Sequence, residues 1–185
     1  MLKTLRILAL SAAVVAMTPI SALAENPEVG GAPMFANKNI IENAVNSKDH
    51  TTLVAAVKAA GLVETLQGDG PFTVFAPTNA AFEKLPDGTV EALLQPENKD
   101  QLTTILTCHV VPAKVFAPAL NKMISDDGGA HPFKTVGGCE FSAKTEGGKI
   151  IIEDGQGNEA TVTIADVEQS NGVIHVIDTV LLPAS

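Results

Sequence analysis

Apolar residues recur at the spacing of an amphipathic helix through most of the first half of the chain, between about Asn37 and Leu106. The spacing predicts one helix that begins near Ile40, a second that ends at Gly61 and a longer one that starts near Glu97. Glycine favours a helix C-terminus because it adopts left-handed backbone angles without steric strain. This half of the chain is therefore predicted to be mainly helical.

One strand-like segment interrupts the helical pattern. Residues 68–71 read Gly-Asp-Gly-Pro, which predicts a turn, and residues 72–75 read Phe-Thr-Val-Phe, which is typical of a strand. Pro77 is expected to end this strand. The side chain of Thr78 or Asn79 is expected to cap the next helix, because either can accept a hydrogen bond from an unpaired N–H of its first turn.

After Pro112 the pattern changes to short segments rich in Val, Ile, Thr and Phe, separated by turns that contain glycine. A strand is predicted just before this point, over residues 108–111. Five antiparallel strands are predicted after it, over residues 133–136, 139–143, 149–153, 160–167 and 172–182. A helical half followed by a strand-rich half predicts an α+β fold rather than an alternating α/β fold.

The N-terminus carries the features of an export signal. Lys3 and Arg6 precede an apolar run of eleven residues, and small residues at 22 and 24 form the pattern that a signal peptidase cuts. A bilayer-spanning helix needs about 20 apolar residues, so the run predicts a signal peptide over residues 1–24 and not an anchor. Residues 25–36 mix Pro, Gly and acidic residues without periodicity, which predicts a flexible leader before a domain over residues 37–185.

Charge narrows the classes of partner. The chain has 12 basic and 21 acidic residues, and loss of Lys3 and Arg6 changes the net charge from −9 to 10 − 21 = −11. A surface of this sign repels phosphate groups, so nucleic acid and anionic lipid are not expected as partners. No later stretch is long and apolar enough to span a bilayer. We expect a soluble mature protein in the periplasm or outside the cell.

The two cysteines, Cys108 and Cys139, are 31 positions apart in a chain predicted to be exported. In an oxidising compartment a disulfide between them is expected. Closing a loop of this length stabilises a fold by roughly 3.5 kcal/mol, provided that the native geometry accepts the bond without strain. The alternative is a pair of buried thiols.

Three segments together resemble the hallmark motifs of fasciclin (FAS1) domains. Residues 70–82 read GPFTVFAPTNAAF and resemble the first motif, and residues 171–183 read NGVIHVIDTVLLP and resemble the second. Residues 109–112, His-Val-Val-Pro, are similar to the family's central Tyr-His segment, with Cys108 in place of the tyrosine. Their order and spacing fit the family, and the resemblance covers about Asn37 to Pro183.

The resemblance implies a β-sandwich or wedge of mainly antiparallel strands flanked by several helices. It also implies that certain motif residues hold the fold together, through core packing or internal polar links. The residues concerned are Phe75, Pro77, Thr78, Asn79, Phe82, His109, His175 and Asp178.

Histidines and carboxylates are the candidate residues for catalysis or metal binding. Of the four histidines, His109 and His175 lie in apolar strand-like segments and are expected to be buried and hydrogen-bonded, whereas His50 and His131 are expected to be exposed loop or helix-start residues. No pair has the spacing of metal ligands. The carboxylates considered for acid–base work or calcium are expected to be solvated charges: Glu153, Asp154, Asp166 and Glu168.

Two functions from different classes remain open. The resemblance implies an exported, non-enzymatic adhesion or interaction module that binds a protein or glycan of the cell surface, envelope or matrix, with bacterial members linked to surface attachment and biofilm. The alternative is a carrier with a cleft that holds a lipid, pigment or cofactor. No catalytic residue, metal site or cofactor site is predicted, and the sequence leaves the oligomeric state open.

Overall fold

The computed structural model describes residues 26–184, so the signal peptide predicted for residues 1–24 lies outside the described residues. The helices are α1 (Ile40–Ala44), α2 (Thr51–Ala60), α3 (Val63–Gln67), α4 (Asn79–Glu83), α5 (Thr89–Leu93), α6 (Lys99–Cys108) and α7 (Ala117–Asp126). Short 3-10 turns precede α2 and α6. The strands are β1 (Glu28–Val29), β2 (Ala32–Pro33), β3 (Phe72–Pro77), β4 (Val110–Val111), β5 (Ala130–Lys134), β6 (Glu140–Glu146), β7 (Lys149–Glu153), β8 (Glu159–Gln169) and β9 (Gly172–Ile177).

Seven strands form one mixed sheet in the order β4-β3-β9-β8-β7-β6-β5. All neighbours are antiparallel except β3 and β9, which run parallel from Phe72 opposite Gly172 to Pro77 opposite Ile177. The sheet curls towards closure, because the N–H of Val136, just after β5, donates to the carbonyl of Val110 in β4 at 2.7 Å. The first and last family motifs are thus paired at the centre of the fold.

Apolar side chains fill both sides of this sheet. One core cluster lies between the sheet and α1–α6, and a second lies inside the curl beneath α7. Strand β9 contributes to both clusters, and all six of its residues are buried, as its two apolar faces predict. A seven-strand sheet beside segregated helices confirms the predicted α+β class.

Residues 26–36 do not form the flexible leader that their composition predicted. Strands β1 and β2 make a hairpin that buries Val29, Ala32 and Met34 in the core. The hairpin turns through Gly30, where a Cβ would lie 2.4 Å from Oγ of Ser47, so only glycine allows this approach. The prediction failed because a two-residue strand is too short for periodicity to register.

Helix α7 was also not predicted. It buries only Leu120 and Ile124, one turn apart, against β5 and β6, so its apolar stripe is too short to stand out. The predicted strand over residues 108–111 begins two residues later, because Cys108 ends α6 and His109 caps it. The last strand ends at Ile177 and not at residue 182, and the chain beyond it is held by side chains described below.

Candidate functional site

The first of the predicted motif residues lie at the corner between β3 and α4. Thr78 is the cap of α4, since its Oγ1 accepts from the N–H of Ala81 at 3.3 Å. Asn79 instead joins α4 to the start of α2: its Oδ1 accepts from the N–H of Thr52 at 3.0 Å, and its Nδ2 donates to the carbonyl of Lys48 at 2.8 Å. Both polar side chains therefore form hydrogen bonds with backbone groups.

His109 lies at the end of α6 and is 2 % exposed. Its Nε2 accepts from the N–H of Leu181 at 2.9 Å, and its Nδ1 lies 2.8 Å from the carbonyl of Ile105. A backbone N–H can only donate, so Nε2 is unprotonated and the proton sits on Nδ1. Burial lowers the pKa of His109 to about 4, outweighing the Ile105 carbonyl and the charge of Asp154, which raise it.

His175 makes the matching arrangement in β9. Its Nδ1 accepts from the N–H of Asp166 at 3.2 Å, so the proton lies on Nε2, which donates to the carbonyl of Val115 at 2.9 Å. The ring stacks on Phe75 with 5.8 Å between centroids. Burial lowers the pKa of His175 as well, against the opposing effect of the Val115 carbonyl. Neither ring has a nitrogen left to bind a substrate or metal.

Asp178, at the end of β9, accepts through Oδ1 from the N–H of Thr161 at 2.8 Å. Its other oxygen lies 3.7 Å from Nζ of Lys84 on the surface. Phe75, Phe82 and Pro77 are buried beside these groups. The structure thus places each motif residue in the interior or at a junction between elements, and of these groups Asp178 reaches the surface, where it faces Lys84.

The carboxylates considered for chemistry have separate structural partners. Asp166, with a φ of 59° at an irregularity of β8, accepts from the N–H of Ala117 at 2.6 Å and so holds the start of α7. Glu168 pairs with Lys114 at 2.8 Å. Glu153 is one of three glutamates around Lys144. The hydrogen bond that Lys144 donates to Glu159 is the main cause that raises the pKa of that lysine.

Asp154 corrects the prediction of a solvated turn charge. It does lie in the turn between β7 and β8, but it is 6 % exposed. Its Oδ1 accepts from the N–H groups of Gln156 and Asn158, each at 2.9 Å, and its Oδ2 accepts from the N–H of Leu182 at 2.8 Å. An Asp that accepts from an N–H two residues later is a common turn pattern, so the local bonds could have been predicted from the sequence. The bond from Leu182, 28 positions away, could not.

His50 also departs from its prediction. It stands at the start of α2, as expected, but it is 3 % exposed. His131 lies in β5, half-buried, with its Nδ1 beside Asp127. Within residues 26–184 no group of three or more His, Cys, Asp or Glu side chains is arranged to hold a metal ion.

The sulfurs of Cys108 and Cys139 are bonded in the structure, with 5.4 Å between their Cα atoms. The bond joins the end of α6 to the turn between β5 and β6. The same turn is held by the N–H of Gly137, which donates to the carbonyl of Thr107 at 3.0 Å. A Cβ at Gly137 would lie 2.9 Å from the backbone nitrogen of Cys108, so the turn depends on glycine there.

A groove of about 410 Å³ opens on the surface among α4, α5, α6 and the C-terminal segment. Its walls are mainly apolar and include Phe82, Leu93, Ile105 and Val180. His109 lies at its edge with both ring nitrogens already hydrogen-bonded. The groove is therefore a concave apolar surface and has none of the convergent reactive groups of an active site.

The family model described as "Fasciclin domain" matches residues 48–183, well over half of the chain. The chain belongs to the fasciclin-domain family. Among similar proteins is Protein sll1483 of Synechocystis sp., which is 46 % identical over 175 residues, covering 95 % of this chain and 90 % of that protein.

Two further relatives contain a region similar to this fasciclin domain. Immunogenic protein MPB70 of Mycobacterium bovis is 37 % identical over 150 residues, covering 76 % of this chain and 66 % of that protein. Transforming growth factor-beta-induced protein ig-h3 of Sus scrofa is 35 % identical over 131 residues, covering 71 % of this chain but only 17 % of that longer protein.

A solved structure shares the fold. The FAS1 domain pair of the insect cell adhesion molecule Fasciclin I matches with a TM-score of 0.69 at 21 % identity, covering 78 % of this chain and 51 % of that one. In residues 26–184 of this fasciclin domain, no helix has the length and apolar character needed to cross a membrane.

Proposed function

We propose that this fasciclin domain is an exported, non-enzymatic adhesion or interaction module that binds a protein or glycan of the cell surface, envelope or matrix. The observation that carries the proposal is membership of the fasciclin-domain family, together with a fold shared with an insect cell adhesion molecule. Fold alone does not define function, so the remaining support comes from the chemistry of the motif residues.

A non-enzymatic role is supported by where the polar atoms of those residues go. His109 and His175 use both ring nitrogens within the protein, and Asn79 uses its amide to join two helices. A general base needs an atom within reach of the substrate and a pKa near the working pH. Both rings are buried with their nitrogens already hydrogen-bonded, so they have no free atom within reach of a substrate. Burial also lowers the pKa of both rings.

A single domain of this size offers limited contact area, so we expect display of many copies to raise the strength of attachment. With a predicted mature charge of 10 − 21 = −11, the partner surface is expected to be neutral or cationic. This charge also predicts that attachment weakens as salt rises, to the degree that charged contacts contribute.

Capture by crosslinking in living cells of the source organism tests the proposal. The mature chain should retain a defined envelope protein or glycan, identified by mass spectrometry. The matched control is Ile177→Asp, which places a carboxylate at a fully buried position of β9 and should unfold the domain. Equal capture by this variant, or no capture by the wild type at normal expression, would count against an adhesion role.

A further inference from the structure

The apolar groove among α4, α5, α6 and the C-terminal segment adjoins a second hollow of about 410 Å³, beside α4 and α5. The two hollows share three lining residues, Phe82, Leu85 and Pro86. These residues lie between the two hollows, so a single partner segment that crosses them contacts both.

The second hollow, which we call the acidic hollow, is lined by three exposed carboxylates. Glu83 lies at the end of α4, Asp87 in the turn after it and Glu91 in α5. None of the ion pairs in residues 26–184 includes any of the three. Their negative charge is therefore open to a cation from outside the domain.

No basic side chain of the domain compensates this charge locally. In the described part of the chain, no lysine or arginine lines either hollow. Lys84 follows Glu83 in the sequence, but its Nζ lies 3.3 Å from Oγ1 of Thr179 and 3.7 Å from Asp178. The glutamates around Lys144 differ in this respect, because they share that lysine.

The apolar groove offers the other half of the surface. Its volume of about 410 Å³ lies within the range of about 300–1,000 Å³ that is usual for binding sites. The chain has no Trp or Tyr, and Phe82 in the groove wall is 8 % exposed, so little aromatic surface is available to stack on a sugar ring. Of the two partner classes in the proposed function, the groove favours protein over glycan.

We propose that the apolar groove and the acidic hollow together form the docking surface for a protein segment that carries apolar side chains on one face and lysine or arginine side chains beside them. The apolar side chains leave water in the groove, and the basic side chains face Glu83, Asp87 and Glu91. The inference rests on the proposed function as an interaction module, and it names the surface and the chemistry of the partner.

The first test is titration of the full mature chain with the model peptide LKKLLKLLKKLLKL, whose leucines and lysines lie on opposite helical faces. Binding should be saturable, should weaken as salt rises and should shift backbone amide resonances mainly in residues 82–91 and 101–106. The peptide LEELLELLEELLEL should bind at least about tenfold more weakly. Equal binding of the two peptides, or shifts centred elsewhere, overturns the proposal.

The carboxylates are tested by neutralising them together. The variant carries three substitutions: Glu83→Gln, Asp87→Asn and Glu91→Gln. Loss of three exposed charge contacts should weaken the lysine peptide about tenfold and flatten the salt dependence. The matched control removes three charges at exposed positions that line neither hollow: Glu28→Gln, Glu64→Gln and Asp69→Asn. Equal affinity of the two variants contradicts a role for the acidic hollow.

The groove is tested from its rim. Thr104 is exposed and lines the groove, whereas its neighbour Thr103 in α6 does not. Thr104→Arg should exclude one leucine side chain and weaken the lysine peptide about 30-fold, and Thr103→Arg should change it less than about twofold. Equal binding by these variants contradicts docking in the groove. The resonance shifts of the wild type apply even if either variant fails to fold.

Capture by crosslinking in living cells separates this inference from the proposed function. Thr103→Arg should retain the partner that the wild type retains, and Thr104→Arg should lose it. If both variants retain the partner, the adhesion role stands and this surface is wrong. Binding of the domain to phosphatidylcholine vesicles that Thr104→Arg abolishes would make the occupant a membrane and would also overturn the proposal.

Discussion

At the scale of single residues, Thr78, Asn79, His109 and His175 direct their polar side-chain atoms to backbone groups of the protein itself. Which residue caps α4 could be narrowed from the sequence to Thr78 or Asn79, but no further. Asn79 does not cap the helix because its side chain accepts instead from the N–H of Thr52, which lies 27 positions away along the chain. A local pattern cannot report a partner at that distance, and the same limit applies to His109 and Leu181.

The buried histidines predict how stability depends on pH. His109 has a pKa of about 4 in the folded protein against 6.5 ordinarily, so the unfolded chain binds more protons between these values. Stability should be complete above about pH 6.5 and fall as the pH drops towards 4. Full protonation of this ring alone corresponds to about 3 kcal/mol, from about 1.4 kcal/mol per pKa unit.

Urea unfolding from pH 7.5 to 4 measures this effect. His109→Gln should be less stable at pH 7 and show a shallower decline towards pH 4, since the titrating ring is gone. Parallel curves for wild type and His109→Gln would contradict a neutral, backbone-bonded His109.

At the scale of elements, long periodic helices and the central strands were predictable, whereas elements defined by tertiary contacts were not. The helix that ends at Gly61 is confirmed, with Gly61 at a φ of 75°. Strand β7 has the predicted bounds. The β1–β2 hairpin and α7 escaped prediction because each presents only two or three buried apolar residues. Their burial depends on surfaces supplied by distant parts of the chain.

The C-terminal segment, residues 178–184, is another element whose order depends on distant groups. Asp154 accepts four hydrogen bonds, including those from Leu182 at 2.8 Å and Nδ2 of Asn158 at 3.1 Å. We predict that Asp154→Ala destabilises the domain by about 2–4 kcal/mol, because buried donors lose a charged acceptor. Hydrogen exchange should accelerate at the amide of Leu182 more than in β9.

The control for this prediction is Asp126→Ala, which removes an exposed i,i+4 partner of Lys122. A surface pair of this kind contributes little, so its loss should change stability by less than about 0.5 kcal/mol. If Asp154→Ala behaves like Asp126→Ala, the turn does not hold the C-terminal segment.

The link between α6 and the β5–β6 turn predicts a redox effect. The oxidised protein should have a mass two hydrogens below the dithiol, with Cys108 joined to Cys139 in peptide maps. Reduction should lower the free energy of unfolding by roughly 3.5 kcal/mol, because the unfolded chain regains the entropy of a 31-residue loop. Free thiols at both positions in protein isolated from its own compartment would refute the bond.

At the scale of the whole molecule, the parallel pairing of β3 with β9 brings together motifs about 100 positions apart, with Phe75 opposite His175. The sequence could indicate both strands and their burial through apolar content. It could not indicate their parallel pairing, because strand patterns do not encode which neighbour is chosen. The family resemblance supplied the fold, and the structure explains the motifs as parts of one core.

The proposed adhesion would depend on the folded surface of the whole domain, and attachment of the source organism tests it most directly. A deletion strain should attach less than its parent, and expression of the wild-type chain should restore attachment. Expression of Ile177→Asp at equal secreted level should not restore it. Parental attachment by the deletion strain, or full rescue by Ile177→Asp, would contradict the adhesion function.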